Sequence, residues 1–392
     1  MKRRTFLTIA SLSLLVSKLP AKASRSRRAA VIGHTGRGNY GHGLDIVWQK
    51  ISGVEIVGVA DADSKGLEKA LGRLKIERGF SDYRKMLSEL RPEFVSVSPR
   101  HPDQHMQMAL AAIENGVKGL YVEKPFCRTP AEADHIVNAA EKHGAKVAVA
   151  HRNRYHPALP IIDKLIADGE IGRLLEIRGH GLGDRRGGGE DLWVLGGHVF
   201  NLFQRFGGEP ESCSGTILQN GKPVTRKDVV NGAEGLGLLA GNEIHARWRL
   251  NNGVTASYTT FANDGSDKKG YAARLIGTKG AISIHIDRDP IAWLCPGNPF
   301  DPASRSNDRI PITSAGLSKT EIQPGLIASV HDHTLAIQDL IDAVDDDRDP
   351  LCDGRQGAMA VEMTCSIFES HLQNGAWVPL PLTERDNPLS RL

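Results

Sequence analysis

At 392 residues the chain has room for about two domains of roughly 100 to 200 residues each. Hydrophobic residues make up 40% and charged residues 24%, the composition of an ordinary soluble globular protein. The net charge is only +3, and no long Lys/Arg run occurs beyond the extreme N-terminus, which argues against nucleic acid or another polyanion as a partner.

Residues 1–23 read as a signal peptide. Lys2, Arg3 and Arg4 form a basic start, Phe6 to Val16 is apolar, and Ala21-Lys22-Ala23 puts small residues where a signal peptidase reads, with cleavage after Ala23. The apolar stretch is too short for a membrane span, and no other stretch is apolar enough for one. Arg3-Arg4-Thr5-Phe6-Leu7 resembles a twin-arginine signal, a route for already folded proteins; an ordinary secretory signal is the alternative. Both readings predict export, to the periplasm in a Gram-negative-type bacterium. The five cysteines, Cys127, Cys213, Cys295, Cys352 and Cys365, are widely spaced without a CxxC, against a zinc knuckle or a dense disulfide framework. One bridge is permitted but not assignable, and no metal spacing occurs.

From residue 28 to 150, apolar strand signals alternate with helical ones: Ala29 to Ile32, Val54 to Ala60, Phe94 to Val97, Gly119 to Val122 and Lys146 to Ala150. Gln104 to Asn115 is a helix stopped by Gly116. Another starts at Thr129-Pro130-Ala131-Glu132, a capping threonine followed by a first-turn proline and a glutamate, and ends near Gly144. This alternation specifies a parallel sheet wound by right-handed crossovers, an α/β Rossmann-type domain.

Residues 151–392 read as a second, α+β domain. A helix from Ala158 to Asp168 precedes a strand from Leu174 to Gly181. Glu243 to Leu250 and Val254 to Phe261 flank the turn Asn251-Asn252-Gly253, and Ala273 to Gly277 and Ala281 to Ile286 flank Thr278-Lys279-Gly280. These predict a mostly antiparallel open sheet, buried on one face. Asp287 to Gln323 reads as a long surface loop. Two helices follow, Ser329 to Val344 and Arg355 to Leu372, which can pack back on the first domain. There is no internal repeat.

After the first strand comes Gly33-His34-Thr35-Gly36-Arg37-Gly38-Asn39-Tyr40-Gly41, then a helix-like run, Leu44 to Ile51. Glycines let a backbone approach a pyrophosphate, and a helix N-terminus offers it free N–H groups. Such a run alone could equally be a glycine-rich turn. Its context favours a dinucleotide site formed by Gly33, Thr35, Gly36, Arg37 and Gly38. The second strand ends in Asp61, an acid placed to accept from the adenosine ribose hydroxyls and, with Asp63, to repel a 2′-phosphate. NAD is therefore favoured over NADP; the other reading of Asp61 is a turn acid.

Ser98-Pro99 with His105, and Glu123-Lys124-Pro125 after the fourth strand, resemble the Gfo/Idh/MocA oxidoreductase family, which includes glucose-fructose oxidoreductase and inositol dehydrogenase. Arg154-Tyr155-His156-Pro157, Gly277-Thr278-Lys279-Gly280 and Leu380-Pro381-Leu382 continue the resemblance, from about Arg28 to the C-terminus. It implies that Pro99, His105, Glu123 and Lys124 border the cofactor, with Lys124 beside the nicotinamide and substrate hydroxyl and Glu123 orienting it. The family's Asp-x-Gly-x-His-x-x-Asp pattern falls on Val194 to Asn201. His198 matches the catalytic histidine, Val194 replaces the first aspartate and Asn201 the second. That puts proton transfer in doubt; Asp191, on a shifted backbone, is a substitute carboxylate. Arg154, Tyr155, Asp191 and Asn201 are substrate-site candidates. Oxidising a secondary alcohol sends a hydride to the nicotinamide and a proton to a base, for which histidine is suited, while a lysine stabilises the alkoxide. The competing role for His198 is a helix cap. His151, His331 and His333 read as solvated or capping residues.

Three functions remain open. The first is NAD(P)-dependent hydride transfer to or from a secondary hydroxyl of a sugar or cyclic polyol, with cofactor tightly held, since free NAD is not expected outside the cytoplasm. The second is redox-neutral cleavage of glycosides through transient use of NAD. The third is a non-catalytic sugar-binding protein. In relatives the second domain's exposed sheet face pairs subunits, which makes a homo-oligomer the expected assembly.

Overall fold

A computed structural model describes residues 26–267, 271–301 and 309–392. The signal-peptide reading of residues 1–23 lies outside the described residues.

Strands β1 (Arg27–Ile32), β2 (Val54–Ala60), β3 (Gly79–Phe80), β4 (Phe94–Val97), β5 (Gly119–Val122) and β6 (Lys146–Val149) form a parallel sheet in the order β3-β2-β1-β4-β5-β6. Helices α1 (Ser64–Leu74), α2 (Tyr83–Leu90), α3 (His105–Glu114) and α4 (Pro130–His143) lie between the strands in sequence. Every residue of β4 and β5 is buried, as in a parallel sheet covered on both faces. The order reverses between β1 and β4, and at such a switch point an open α/β sheet binds ligands beyond its carboxyl ends. Helix α4 begins as its sequence predicts: the Thr129 hydroxyl accepts the Glu132 N–H at 3.1 Å, and Gly144, at φ 67°, ends it. The Glu132 carboxylate instead accepts the Arg128 N–H at 2.9 Å.

The expected helix from Leu44 to Ile51 is replaced by turns and a short 3-10 helix, Ile46–Lys50. Gly36, Gly38, Gly41 and Gly43 all have positive φ, from 59° to 90°, which a right-handed helix does not accept. Leu44, Val47 and Trp48 are fully buried, so the helical apolar spacing is used up within about one turn. No extended helix therefore aims its N-terminus at the glycine loop.

The second domain begins with α5 (Ala158–Ala167), β7 (Leu174–His180), α6 (Gly189–Asp191), a π-helical turn over Leu192–Gly196, and α7 (Gly197–Gly207). Next come β8 (Pro210–Gln219), the two-residue strands β9 (Lys222–Pro223), β10 (Val230–Asn231) and β11 (Leu238–Leu239), then β12 (Glu243–Leu250), β13 (Thr255–Phe261), β14 (Ala272–Gly277) and β15 (Gly280–His285). Beyond them lie β16 (Ala292–Pro296), β17 (Ile310–Thr313), β18 (Gly316–Leu317), α8 (Leu326–His331), α9 (Thr334–Asp345), α10 (Gly354–Leu372) and β19 (Val378–Pro379). Except for β10 and β11, which pair with each other, the strands join in a sheet ordered β18-β17-β16-β15-β14-β7-β13-β12-β8-β19, with β9 on β8. Pairing is antiparallel apart from β7 with β13. Both predicted hairpins form, and β12 alternates between buried and exposed positions, one face covered and one free.

Two expectations are corrected here. Asp287 to Gln323 is not simply a loop: it contains β16, β17 and β18, which are too short for their apolar alternation to stand out in a polar sequence. The helix expected over Ser329 to Val344 is broken into α8 and α9 at His333, which has φ 65°. Helix α10 does pack back, touching α4 and β6 of the first domain as well as β8 and α7 of the second. All five cysteines are free.

Candidate active site

A cavity of about 400 Å³ opens where the ends of β5 and β6 meet the second domain. Its wall includes His42, Lys124, Arg152, His198, Tyr271 and Asp287. Lys124 follows β5 and His198 lies in the first turn of α7, so the fold joins the two residues that carry the sequence argument.

Glu123 is fully buried behind Lys124. Its carboxylate accepts the His42 N–H at 3.1 Å and the Lys124 N–H at 2.9 Å, and lies 3.0 Å from His42 Nδ1. Burial alone would raise its pKa, but the His42 hydrogen bonds and charge, with Lys124, outweigh burial and hold it at about 2. Glu123 is therefore an anion that orients the loop and Lys124. The Lys124 Nζ donates to the Val194 carbonyl at 3.1 Å. Burial lowers the Lys124 pKa, opposed by the Glu123 charge. The carbonyl reaches Lys124 from the π-helical turn, a deformation common at functional sites.

His198 is 5% exposed, and its ring packs 5.2 Å from His151 and 5.8 Å from Tyr271, centroid to centroid. Its Nδ1 is buried with no hydrogen-bond partner among the described residues. Burial, reinforced by His151 and Lys124, pushes its pKa well below the usual histidine value, so the imidazole is neutral at physiological pH.

The other candidates divide. Asn201, one helical turn past His198, donates to Cys352 Sγ at 3.4 Å and leaves its Oδ1 buried without a partner among the described residues, away from the cavity wall. Asp191 is fully buried and accepts from the Tyr258 and Thr260 hydroxyls, both at 2.8 Å, so its carboxylate braces the sheet rather than replacing the missing acids. Arg154 donates to the Leu351 carbonyl at 3.0 Å, and Tyr155 is buried; neither joins the wall. The reason is local: these residues share one 3-10 turn, Arg152–Tyr155, whose successive side chains point to different sides, and only Arg152 faces in. His151 and His333 are corrected too, being buried rather than solvated, with His333 Nδ1 2.6 Å from the Tyr121 hydroxyl. His331 stays half-exposed, 3.0 Å from Asp287. Sequence reasoning missed His42, Arg152, Tyr271 and Asp287. The position of Arg152 just past a strand end was the one available signal.

At the other end of the switch point, a pocket of about 200 Å³ is lined by Gly33, His34, Asp61, Tyr83, Gln104 and Met108. Asp61 does not wait there for a ribose. Its carboxylate accepts the Thr35 N–H at 3.0 Å, the Thr35 hydroxyl at 2.7 Å, the Tyr40 hydroxyl at 2.9 Å and the Asp63 N–H at 3.0 Å. It thus ties down the glycine loop, and any bias against NADP rests on its charge. The Tyr40 ring covers Gly33, where any Cβ would collide with it. Gly38 packs against the Arg100 backbone, and Arg37 pairs with Asp103. His105 is corrected as a cofactor contact: fully buried, its ring nitrogens lie 2.7 Å from the Pro99 carbonyl and 3.1 Å from that of Phe126, bracing the β4 and β5 exits. Pro99 supplies that carbonyl. Gly36 keeps an open approach, at φ 84° with nothing within 4 Å of a would-be Cβ. The residues present fit a dinucleotide: His34 and Gln104, in the pocket beyond β1, and the open side of Gly36 would hold one end of it and Lys124 would border the other.

Fold and site define an oxidoreductase class in which a Rossmann domain carries NAD and a second domain completes the cavity. The chain belongs to the Gfo/Idh/MocA oxidoreductase family: the family's NAD-binding Rossmann fold matches residues 27–151 and its C-terminal alpha/beta domain residues 163–380. D-apiose dehydrogenase of Paraburkholderia graminis is 36% identical over 125 residues, 32% of this chain and 33% of that protein. Levoglucosan dehydrogenase of Pseudarthrobacter phenanthrenivorans is 26% identical over 257 residues, 59% of this chain and 65% of that one. The match thus spans about a third of the first relative's length and under two thirds of the second's. Among solved structures, levoglucosan dehydrogenase in complex with NADH and L-sorbose superposes with a TM-score of 0.71 at 20% identity, covering 91% of this chain and 99% of that one. An NAD binding oxidoreductase from Klebsiella pneumoniae gives 0.70 at 19%, with 91% and 99% covered. These likenesses concern the fold.

Proposed function

We propose that this protein transfers a hydride between NAD and a secondary hydroxyl of a sugar or cyclic polyol, with His198 as proton acceptor and Lys124 as electrostatic support. The observation that carries this reading is that Lys124 and His198, from different domains, line one cavity at the carboxyl edge of the Rossmann sheet. Bound NAD supplies the hydride acceptor. Lys124 presents its ammonium to the developing alkoxide, steadied by the Val194 carbonyl and backed by the Glu123 carboxylate. The neutral His198 takes the proton on Nε2, because Nδ1 faces the interior. The names of the relatives, a D-apiose and a levoglucosan dehydrogenase, support a carbohydrate substrate. Incubating the purified protein with a carbohydrate panel and weighing products by mass spectrometry tests it. A product two mass units lighter supports oxidation; cleavage fragments with no net redox change favour the glycosidase or lyase reading; unchanged sugars throughout sink both.

The export reading of residues 1–23 belongs to the same proposal. Replacing Arg3 and Arg4 with Lys should retain precursor in the cytoplasm, and unchanged export would refute the twin-arginine route. Self-association is supported by the outer sheet face, where His245, Arg247 and Arg249 of β12 stand exposed. Light scattering at a monomer mass would refute it.

A further inference from the structure

The family pattern places carboxylates beside the histidine, and here Val194 and Asn201 stand in those positions. A different carboxylate reaches the cavity wall from outside that motif. Asp287 lies in the turn after β15, with its backbone at φ 62°. Left-handed backbone is uncommon for a residue with a side chain, though Asp tolerates it better than most, and such outliers gather at functional sites. Its two oxygens meet four partners from three separate segments. Oδ2 accepts from Arg152 at 3.0 Å and from the Tyr271 hydroxyl at 3.1 Å. Oδ1 accepts from Asn153 at 3.3 Å and lies 3.0 Å from His331 Nε2 on α8. Arg152 and Asn153 follow the last strand of the first domain, whereas Tyr271 immediately precedes β14 in the second. Two of the four, Arg152 and Tyr271, are wall residues, and the Tyr271 ring is the one packed on His198.

We propose that Asp287 is a positioning residue of this site: it fixes Arg152 and Tyr271 at the cavity wall, and through Tyr271 the ring of His198, in place of the carboxylates absent at positions 194 and 201. This rests on the proposed function above. With its hydrogen-bonding capacity taken by these four partners, Asp287 acts through them. Among the described residues the His198 Nδ1 has no hydrogen bond to set the ring's orientation, and packing against Tyr271 and His151 sets it instead. A reacting group displaced by about 1 Å costs roughly 10²-fold in rate.

The test uses the NAD-loaded protein with levoglucosan, inositol and D-apiose as probes, and compares Asp287→Asn, Tyr271→Phe and the double variant. Asn matches Asp in size and tolerates the left-handed backbone, so the fold is kept. Each single change should lower kcat by roughly 10²-fold with KM within a few-fold. The double variant should be no worse than the weaker single one, because the two residues act as a unit. Multiplying losses, or Asp287→Asn turnover within two-fold of the intact protein, would overturn this inference and leave the proposed function standing. A second measurement is independent of turnover. Burial, then the Asp287 charge and hydrogen bond, hold the Tyr271 phenol well above the ordinary tyrosine range. Ultraviolet difference titration against Tyr271→Phe should show that phenol moving down in Asp287→Asn. A phenol that does not move overturns the inference. A phenol that moves in a protein inert toward these probes and toward the whole carbohydrate panel supports the hold by Asp287 and overturns the proposed function.

Discussion

The Lys124 Nζ donates its hydrogen bond to the backbone carbonyl of Val194, 3.1 Å away and 70 residues on in the chain. Position 194, where the Asp-x-Gly-x-His-x-x-Asp pattern would have its first acid, thus contacts the lysine through its main chain. A carbonyl dipole steadies an ammonium without ionising, and Glu123, at about 2, supplies the negative charge nearby. Replacing Lys124 with Met keeps the bulk and removes the charge. Turnover of the sugar identified by the product screen should fall by roughly 10²–10³-fold, the worth of one preorganised electrostatic contact. Steady-state kinetics with circular dichroism as a fold check would read this; a loss under five-fold would remove Lys124 from the chemistry.

His198→Ala separates catalysis from packing. A general base is worth roughly 10²–10⁴ in turnover, and NADH affinity, followed by its fluorescence, should stay within two-fold because His198 lies on the second domain. A lowered melting temperature with turnover within a few-fold of the intact protein would make His198 a packing residue.

Asp61→Asn should act on the loop first. Four donors converge on this carboxylate, so its neutralisation weakens bonds to Thr35 and Tyr40 and should cost about 1–3 kcal/mol of stability. The NAD/NADP difference should narrow too, since the charge that repels a 2′-phosphate is gone. Chemical denaturation and calorimetry with both cofactors check the two effects separately. Unchanged stability would mean that the loop does not depend on Asp61.

Two buried histidines set an acid limit. Burial lowers His151 to about 3, with the Lys124 charge adding to it, and lowers His333 to about 4. The unfolded chain binds these protons near pH 6.5 and the folded chain only near 3 to 4, so stability is full above 6.5 and declines as pH falls through that window. The His333 contribution is on the order of 3 kcal/mol. His333→Gln should flatten the decline between pH 6.5 and 4 in melting curves; an unchanged slope would show that His333 titrates normally.

What the sequence by itself determined is what neighbouring residues decide among themselves. The strands Val54–Ala60, Phe94–Val97, Gly119–Val122 and Glu243–Leu250 run as read, because apolar runs and alternation act over a single strand. The cap at Thr129 and the stop at Gly144 are likewise settled within one helical turn. The family resemblance of Glu123-Lys124-Pro125 singled out Lys124, and its place just past a strand end, a local feature, already put it at the sheet edge. Only the tertiary structure decided the rest. Asp61 became a loop clamp when Tyr40 folded over Gly33, and His105 a brace between two strand exits. His151 and His333 turned from polar-looking positions into buried ones because His198 of α7 packs against the first and Tyr121 of β5 against the second. Two of the four partners of Asp287, Arg152 and Asn153, lie more than 130 residues away in sequence, and no period or spacing encodes such a meeting. Burial and long-range hydrogen bonding are properties of the packed chain: a single strand or turn carries the residue types, and the fold chooses which of them face one another.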